Sequence, residues 1–346
     1  MSSSSVVFVG PLPGREQGGA DAAIGCLARA LRDADVDVAA CEFPFKPPQR
    51  PTVFHFHSAW QTHHIPLYKH CISNRIPYVI SPHGMLAGWR LRQKWWKKLP
   101  YLILVERRNL KRSSRILVTS DLERREVLRV VPKANTVIIP LGLTGSAVPN
   151  YAESRKKLGW SHDEKILLFL SRLSPEKGIE LLLEALQGVT RQVAAKLRLI
   201  IVGGGEEKYV IKLKEYCNQH EKDLPPVEWI GSMWGDDRWK YFQGADVFCL
   251  PSHSENFGLV ILEACQVGTP VVTTTFTPWE HLNDLGYGAV VERNVSRLRN
   301  GLIKCLSLGW TEKKRQDLAR WAWSTHSWSN IVEKYKALYG DVGGWD

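Results

Sequence analysis

The chain has 346 residues, 44% of them hydrophobic and 23% charged, a globular composition with room for two cores that excludes a disordered or fibrous protein. Its formal charge of +11 sits in one half: residues 1–150 carry 21 Lys/Arg against 10 Asp/Glu, and residues 151–346 carry 25 against 25.

The chain opens on the apolar run Val6–Val9 and a Gly/Pro-rich loop, Pro11–Gly19. The run lacks a basic flank and is too short for a signal peptide. A helix is predicted next, because Ile24, Leu27, Ala28 and Leu31 recur at i, i+3, i+4 and i+7. Short β-rich runs follow at Val36–Ala40, Val53–His57, Tyr78–Ser81, Ile116–Thr119 and Val137–Pro140, with helix-length segments between most of them. Around Leu141–Tyr151 the pattern breaks at Gly142, Gly145, Pro149 and Asn150. It then restarts with strands predicted at Ile166–Leu170, Leu197–Val202, Val227–Ile230, Val247–Leu250, Val271–Thr274 and Ala289–Val291. Helices are predicted at about Ile179–Leu186, Lys208–Cys217, Leu259–Val267 and Val295–Leu306, and a last amphipathic one at Trp328–Tyr339. The expectation is an α/β chain of two Rossmann-like, doubly wound parallel-sheet domains facing across a cleft, 1–148 and 149–322.

Seven cysteines stand at 26, 41, 71, 217, 249, 265 and 305 with no CxxC spacing, which suits a reducing compartment. No stretch reaches the roughly 18 apolar residues of a membrane span. A cytoplasmic protein is expected, held peripherally, if at all, at the inner face of the cytoplasmic membrane. The segment Arg90–Arg115 holds ten basic residues and one acid, Glu106, interleaved with Trp95 and Trp96 and preceded by Trp89. It reads as a solvated helix with its tryptophans packed inward, as an anionic-membrane surface, or as a nucleic-acid contact. The membrane surface is the reading preferred, and no nucleic-acid partner is expected.

Two loops carry the chemistry. Pro251-Ser-His-Ser-Glu255-Asn256-Phe257-Gly258-Leu259 follows a strand and opens a helix. Its first backbone N–H groups form a natural anion site. Glu255 before that helix and Glu263 within it cannot bind phosphate and are better read as acceptors from hydroxyls. Acids flanking an anion site suit a nucleotide sugar, a diphosphate with polyols at both ends. Ser171-Arg172-Leu-Ser-Pro-Glu-Lys177-Gly178 places two cations on a strand-to-helix loop. Arg offers a fork to phosphate oxygens and Lys a compact charge, so together they would stabilise a leaving nucleoside diphosphate, a role metals fill elsewhere.

The pairing of Arg172-x4-Lys177 with Glu255-x7-Glu263 resembles the retaining glycosyltransferases of GT-B fold. Gly18-Gly19, Ser81-Pro-His83-Gly84, Val202-Gly203-Gly-Gly205, Gly268-Thr-Pro270 and Thr277-Pro-Trp-Glu280 look like their counterparts in order. The resemblance implies that Arg172 and Lys177 grip the diphosphate and that Glu263 accepts from the ribose. Glu255 would face the donor sugar, with Asn256, Phe257, Gly258 and Leu259 holding sugar and phosphate. Gly18, Gly19 and Gly203 would also lie on the donor, His83 near the transferred sugar with His57 on the acceptor side, and Ile230 and Gly231 near the base. It implies that 323–346 forms a helix returning to the N-terminal domain. It implies a saccharide or lipid-linked acceptor, polysaccharide or glycolipid synthesis, and no metal or other cofactor. Asn256 departs from the glycine usual after the first glutamate. A nucleotide-sugar epimerase, a phosphorylase-like enzyme and a catalytically silent sugar-binding protein are the alternatives.

Other motifs read as structural. His55-Phe-His57 resembles half a metal site, but no downstream set completes it. Asp35-Val-Asp37 reads as a solvated turn and Asp236-Asp237 as a helix start. No G-x-G-x-x-G follows either first strand, which argues against a dinucleotide oxidoreductase.

Overall fold

The computed structural model describes residues 5–10, 19–41, 53–92, 95–145, 147–189 and 196–345. They fall into two compact units, one of Met1–Thr144 with His326–Asp346 and one of Gly145–Thr325.

The first unit holds a six-stranded sheet in which every pairing is parallel. Its strands are β1 Ser5–Val9, β2 Asp37–Ala40, β3 Val53–His57, β4 Tyr78–Ser81, β5 Arg115–Val118 and β6 Thr136–Ile138, in the order β2-β1-β3-β4-β5-β6. The chain winds outward from β1 to β2, then crosses to β3 and winds the other way. The neighbours β1 and β3 therefore define the switch point, outside whose carboxyl ends ligands bind in sheets of this kind. Strands covered on both faces read as continuous apolar runs, and β3 is buried at all five positions. One face is covered by the helix Gly19–Asp33, through Ile24, Leu27 and Leu31, and by the helix Trp328–Gly343, through Ile331, Tyr335, Leu338 and Tyr339. The apolar stripe on the last helix thus finds its partner in this unit. The other face packs Leu67, Tyr68, Cys71, Leu110 and Val127.

The second unit repeats the architecture with β7 Glu164–Leu170, β8 Lys196–Val202, β9 Val227–Gly231, β10 Val247–Leu250, β11 Val271–Thr274 and β12 Gly288–Val291. All pairings are again parallel, in the order β12-β11-β10-β7-β8-β9. Its switch point lies between β7 and β10. Two helices stand where the sequence pattern is weak, Tyr151–Leu158 and Glu312–His326. The first buries Arg155, whose guanidinium lies 3.0 Å from buried Asp246, so its inward face is polar and escapes an apolar-period search.

Candidate functional site

In the second unit, two loops leave the adjacent strands β7 and β10 at the switch point. They are joined through backbone: His253 N–H donates to the Glu176 carbonyl at 2.8 Å. Gly178 sits in the left-handed region at φ 73°, and a Cβ there would meet the Pro251 carbonyl oxygen at 2.1 Å, so only glycine permits this approach. The join brings Lys177 Nζ to 2.5 Å from Glu255 Oε1, and Ser252 Oγ donates to the same oxygen at 2.7 Å. Both members of the ion pair are largely buried, whereas the Arg172 side chain, which bonds Glu176, remains 64% exposed.

Beyond Glu255 the chain passes Asn256 and the buried Phe257, whose carbonyl accepts from the indole N–H of buried Trp279. Gly258, at φ 77°, starts the helix Leu259–Gln266, which carries Glu263 in its second turn. The Arg238 guanidinium bonds Glu263 at 2.8 Å and lies 5.1 Å from the Trp239 ring centre. Gly203 N–H donates to the Gly231 carbonyl at 2.8 Å, tying the ends of β8 and β9, with Ile230 just before. The residues read from sequence as one site thus occupy the ends of β7, β8, β9 and β10. Each of the four charged ones is engaged by a partner of opposite sign: Arg172 by Glu176, Lys177 by Glu255, Glu263 by Arg238. The roles of Arg238 and Ser252 were not foreseen, because neither stands at a recognisable spacing from the glutamates.

In the first unit, β3 ends at His57 and β4 runs into the turn carrying His83. His57 Nδ1 lies 3.1 Å from His83 Nε2, with the rings stacked at 16°. His55, on the same strand face, is hydrogen-bonded through Nδ1 to Tyr339 Oη and through Nε2 to Ser81 Oγ, each at 2.7 Å. Burial holds all three imidazoles neutral, pushing His83 down to about 4 and His55 and His57 well below the usual range, with the neighbouring rings adding to it for the latter two. His83 is left-handed at φ 51°, as is Ser58 at 83° and Trp60 at 65°. Three non-glycine residues in that region mark a strained rim, which is commoner at functional sites than elsewhere. Gly19 opens the helix after β1; Gly18 lies outside the described residues. Among the described residues no group of three or more His, Cys, Asp or Glu side chains is arranged to hold a metal ion.

The basic segment forms the helices Gly88–Arg92 and Trp95–Tyr101, a π-helical turn at Leu102–Glu106, and the helix Arg107–Arg112. Its tryptophans do not pack inward. Trp95, Trp96, Leu99, Ile103 and Leu104 are all exposed, Leu104 by 73%, and Trp95, Leu99 and Ile103 follow the i, i+4, i+8 spacing of one helical face.

Two sequence families match the chain. The one described as "Glycosyl transferases group 1" covers residues 150–322, and the one described as "Glycosyl transferase 4-like domain" covers 45–142. An uncharacterized glycosyltransferase of Methanocaldococcus jannaschii is 28% identical over 83% of this chain and 74% of its own length. The phosphatidyl-myo-inositol mannosyltransferase of Mycobacterium leprae is 28% identical over 65% of this chain and 59% of its own length. Among solved structures, Anabaena HepE in complex with UDP and glucose superposes with a TM-score of 0.74 at 17% identity, covering 98% of this chain and all of that one.

Proposed function

This chain belongs to the group 1 glycosyl transferases, and we propose that it moves a sugar from a nucleoside-diphosphate donor to a saccharide or lipid-linked acceptor, with retention and without a metal. The observation that carries the reading is the Lys177–Glu255 pair at the switch point of the second sheet, one cation and one acid from adjacent strand ends.

Lys177 and the exposed guanidinium of Arg172 would meet the diphosphate, aided by the amino-terminal turn of the helix Leu259–Gln266. Cationic contacts made strongest as the leaving group gains charge lower the barrier to departure without metal chemistry. Glu255 would accept from hydroxyls of the donor sugar and Glu263 from the ribose, with Asn256, Phe257, Gly258 and Leu259 along the sugar and phosphate. Gly203, Ile230 and Gly231, at the ends of β8 and β9, would border the nucleoside, and Gly18 and Gly19 are assigned to the donor as well. In the step itself the anomeric carbon–oxygen bond to the diphosphate breaks. The acceptor oxygen bonds to that carbon from the same face, and its proton passes to the departing diphosphate. His57 and His83, at the rim of the first sheet, are assigned to the acceptor side and the transferred sugar. The donor would be a UDP- or GDP-sugar; the UDP and glucose in the HepE complex support the former, and the name of the Mycobacterium leprae enzyme supports a lipid-linked acceptor.

The exposed tryptophan and leucine face at 95–104, flanked by Arg107, Arg108 and Lys111, supports peripheral contact with an anionic membrane. No helix among the described residues is long and apolar enough to cross one.

Thermal-shift screening against UDP, GDP, ADP and their common sugars tests the donor reading. A rise in melting temperature with one nucleotide, unchanged by EDTA, is expected. An absence of any shift, or a strict need for Mn²⁺ or Mg²⁺, overturns it. The anomeric configuration of the product, read by NMR, tests retention.

A further inference from the structure

We infer that Glu123 is a positioning residue for His83. The inference rests on the reading of the first unit's histidine rim as part of the reacting site. It concerns a residue 40 positions away in the chain, in a helix that carries no other proposed role.

Glu123 lies in the first turn of the helix Asp121–Val130, after β5, and is 2% exposed. Its N–H donates to Ser120 Oγ, the helix cap, at 3.2 Å. A glutamate three residues after a capping serine commonly returns its carboxylate to the backbone of the cap residue. Here the carboxylate also reaches beyond the cap residue. Oε2 receives the N–H of Thr119 at 2.8 Å and its hydroxyl at 3.0 Å, while Oε1 reaches across to the N–H of Gly84 at 2.7 Å. The carboxylate therefore bolts the turn after β4 to the end of β5, and the bolt falls on the peptide that joins His83 to Gly84.

That turn needs holding. His83 and Gly84 are consecutive left-handed residues, at φ 51° and 72°. The conformation is strained for a residue that carries a β-carbon, and the turn's own backbone bonds are those from Met85 N–H to the Pro82 carbonyl at 3.1 Å and from Ala87 N–H to the Gly84 carbonyl at 3.2 Å. With the peptide fixed, the His83 ring stacks on His57 and their nitrogens meet at 3.1 Å. The outer atoms, His57 Nε2 and His83 Nδ1, are buried and bond no protein group. A neutral imidazole pair has only two tautomeric arrangements. If His57 donates to His83, the free His83 nitrogen carries a hydrogen and the free His57 nitrogen does not; if His83 donates, the reverse holds. Either way the pair shows one donor and one acceptor, the complement of a hydroxyl group. Burial keeps both rings in that neutral state. Glu123 acts on chemistry only by setting where this pair stands, since its own oxygens are filled by Thr119 and Gly84.

The test is a double-mutant cycle on the full chain. Glu123→Gln preserves size but sets an amide NH₂ against a backbone N–H. It should lower kcat by about ten- to a hundredfold, as a displacement of roughly 1 Å at a reacting group does, with little change in donor KM and with circular dichroism unaltered. His83→Ala should lower kcat at least as far, and Glu123→Gln in that background should add less than twofold. The ¹⁵N resonances of the His57 and His83 rings should move in Glu123→Gln and stay put in Thr119→Val, which keeps both carboxylate–backbone bonds. Multiplicative losses in the double variant, or normal turnover in Glu123→Gln, overturn the positioning role. Normal turnover in His83→Ala instead sinks the underlying reading of the histidine rim.

Discussion

Lys177 Nζ stands 2.5 Å from Glu255 Oε1, an ion pair between two loops 78 residues apart in the chain that leave neighbouring strands of one parallel sheet. In the proposed function, a diphosphate would meet a cation already held and partly desolvated by an acid. The energetic consequence separates Lys177 from Arg172, though both were read as phosphate cations.

Arg172→Ala and Lys177→Ala should each lower donor turnover by about a hundred- to a thousandfold, the scale of losing one preorganised charge contact. Their stabilities should diverge. Arg172 is mostly exposed, and such surface pairs contribute about 0–1 kcal/mol, so its variant should melt with the wild type. Lys177→Ala leaves the Glu255 carboxylate partly buried without its cation, held by Ser252 Oγ, and its melting temperature should fall measurably by calorimetry. Turnover within a few-fold of the wild type in either variant contradicts the phosphate assignment.

Arg238 should behave as a binding residue. It holds Glu263 at 2.8 Å while stacking on Trp239, so it fixes the carboxylate assigned to the ribose. Arg238→Ala should raise the Kd for the nucleoside diphosphate by about tenfold, near 1.4 kcal/mol, and leave kcat at saturating donor within a few-fold. Calorimetric titration reads the first quantity directly. An unchanged Kd would separate Glu263 from the nucleotide.

Acid should destabilise the first unit through its buried histidines. Their folded-state affinity for protons is depressed, to about 4 for His83, against about 6.5 in an unfolded chain. Between those values the unfolded state binds more protons, so stability rises with pH. The contribution is complete above about pH 6.5 and is lost as pH falls towards 4. Melting temperature measured across that window should drop, and the drop should shrink in His83→Gln; a flat profile from pH 7 to 4 would refute neutral burial.

The exposed face at Trp95, Trp96, Leu99, Ile103 and Leu104 should anchor the protein to anionic vesicles. Neutralising Arg107, Arg108 and Lys111 together should weaken flotation with phosphatidylglycerol liposomes by on the order of a hundredfold, at about 1 kcal/mol per charge. Trp95→Ala with Trp96→Ala should weaken it further and leave the fold intact, both rings being more than half exposed. Equal flotation with neutral and anionic vesicles would remove the electrostatic part of the claim.

Much of this was legible in the chain itself. The twelve strands among the described residues coincide with apolar or β-rich runs, and one covered on both faces, such as β3, must be apolar along its length. The loops bearing Arg172, Lys177, Glu255 and Glu263 announced themselves by glycine, cation and acid spacing, and Gly258 by its place before a helix. Tyr151–Leu158 and Glu312–His326 were not legible: the first turns Arg155 inward, and the buried Arg315 in the second donates to the Ala245 carbonyl at 3.1 Å. Polar burial breaks the apolar period on which such readings depend.

What the sequence alone determined is local: which residues form strands, where loops leave them, and which loops bear charge, since these follow from the nearest-neighbour chemistry of the backbone. What only the tertiary structure decided is who meets whom. That Lys177 finds Glu255 and that Glu123 secures the peptide after His83 follow from strand order, which makes neighbours of β7 and β10 and of β4 and β5, and Arg238 reaches Glu263 from the connection between β9 and β10. Strand order is settled by packing two helical layers on a twisted sheet, a cooperative outcome in which no single residue carries the signal.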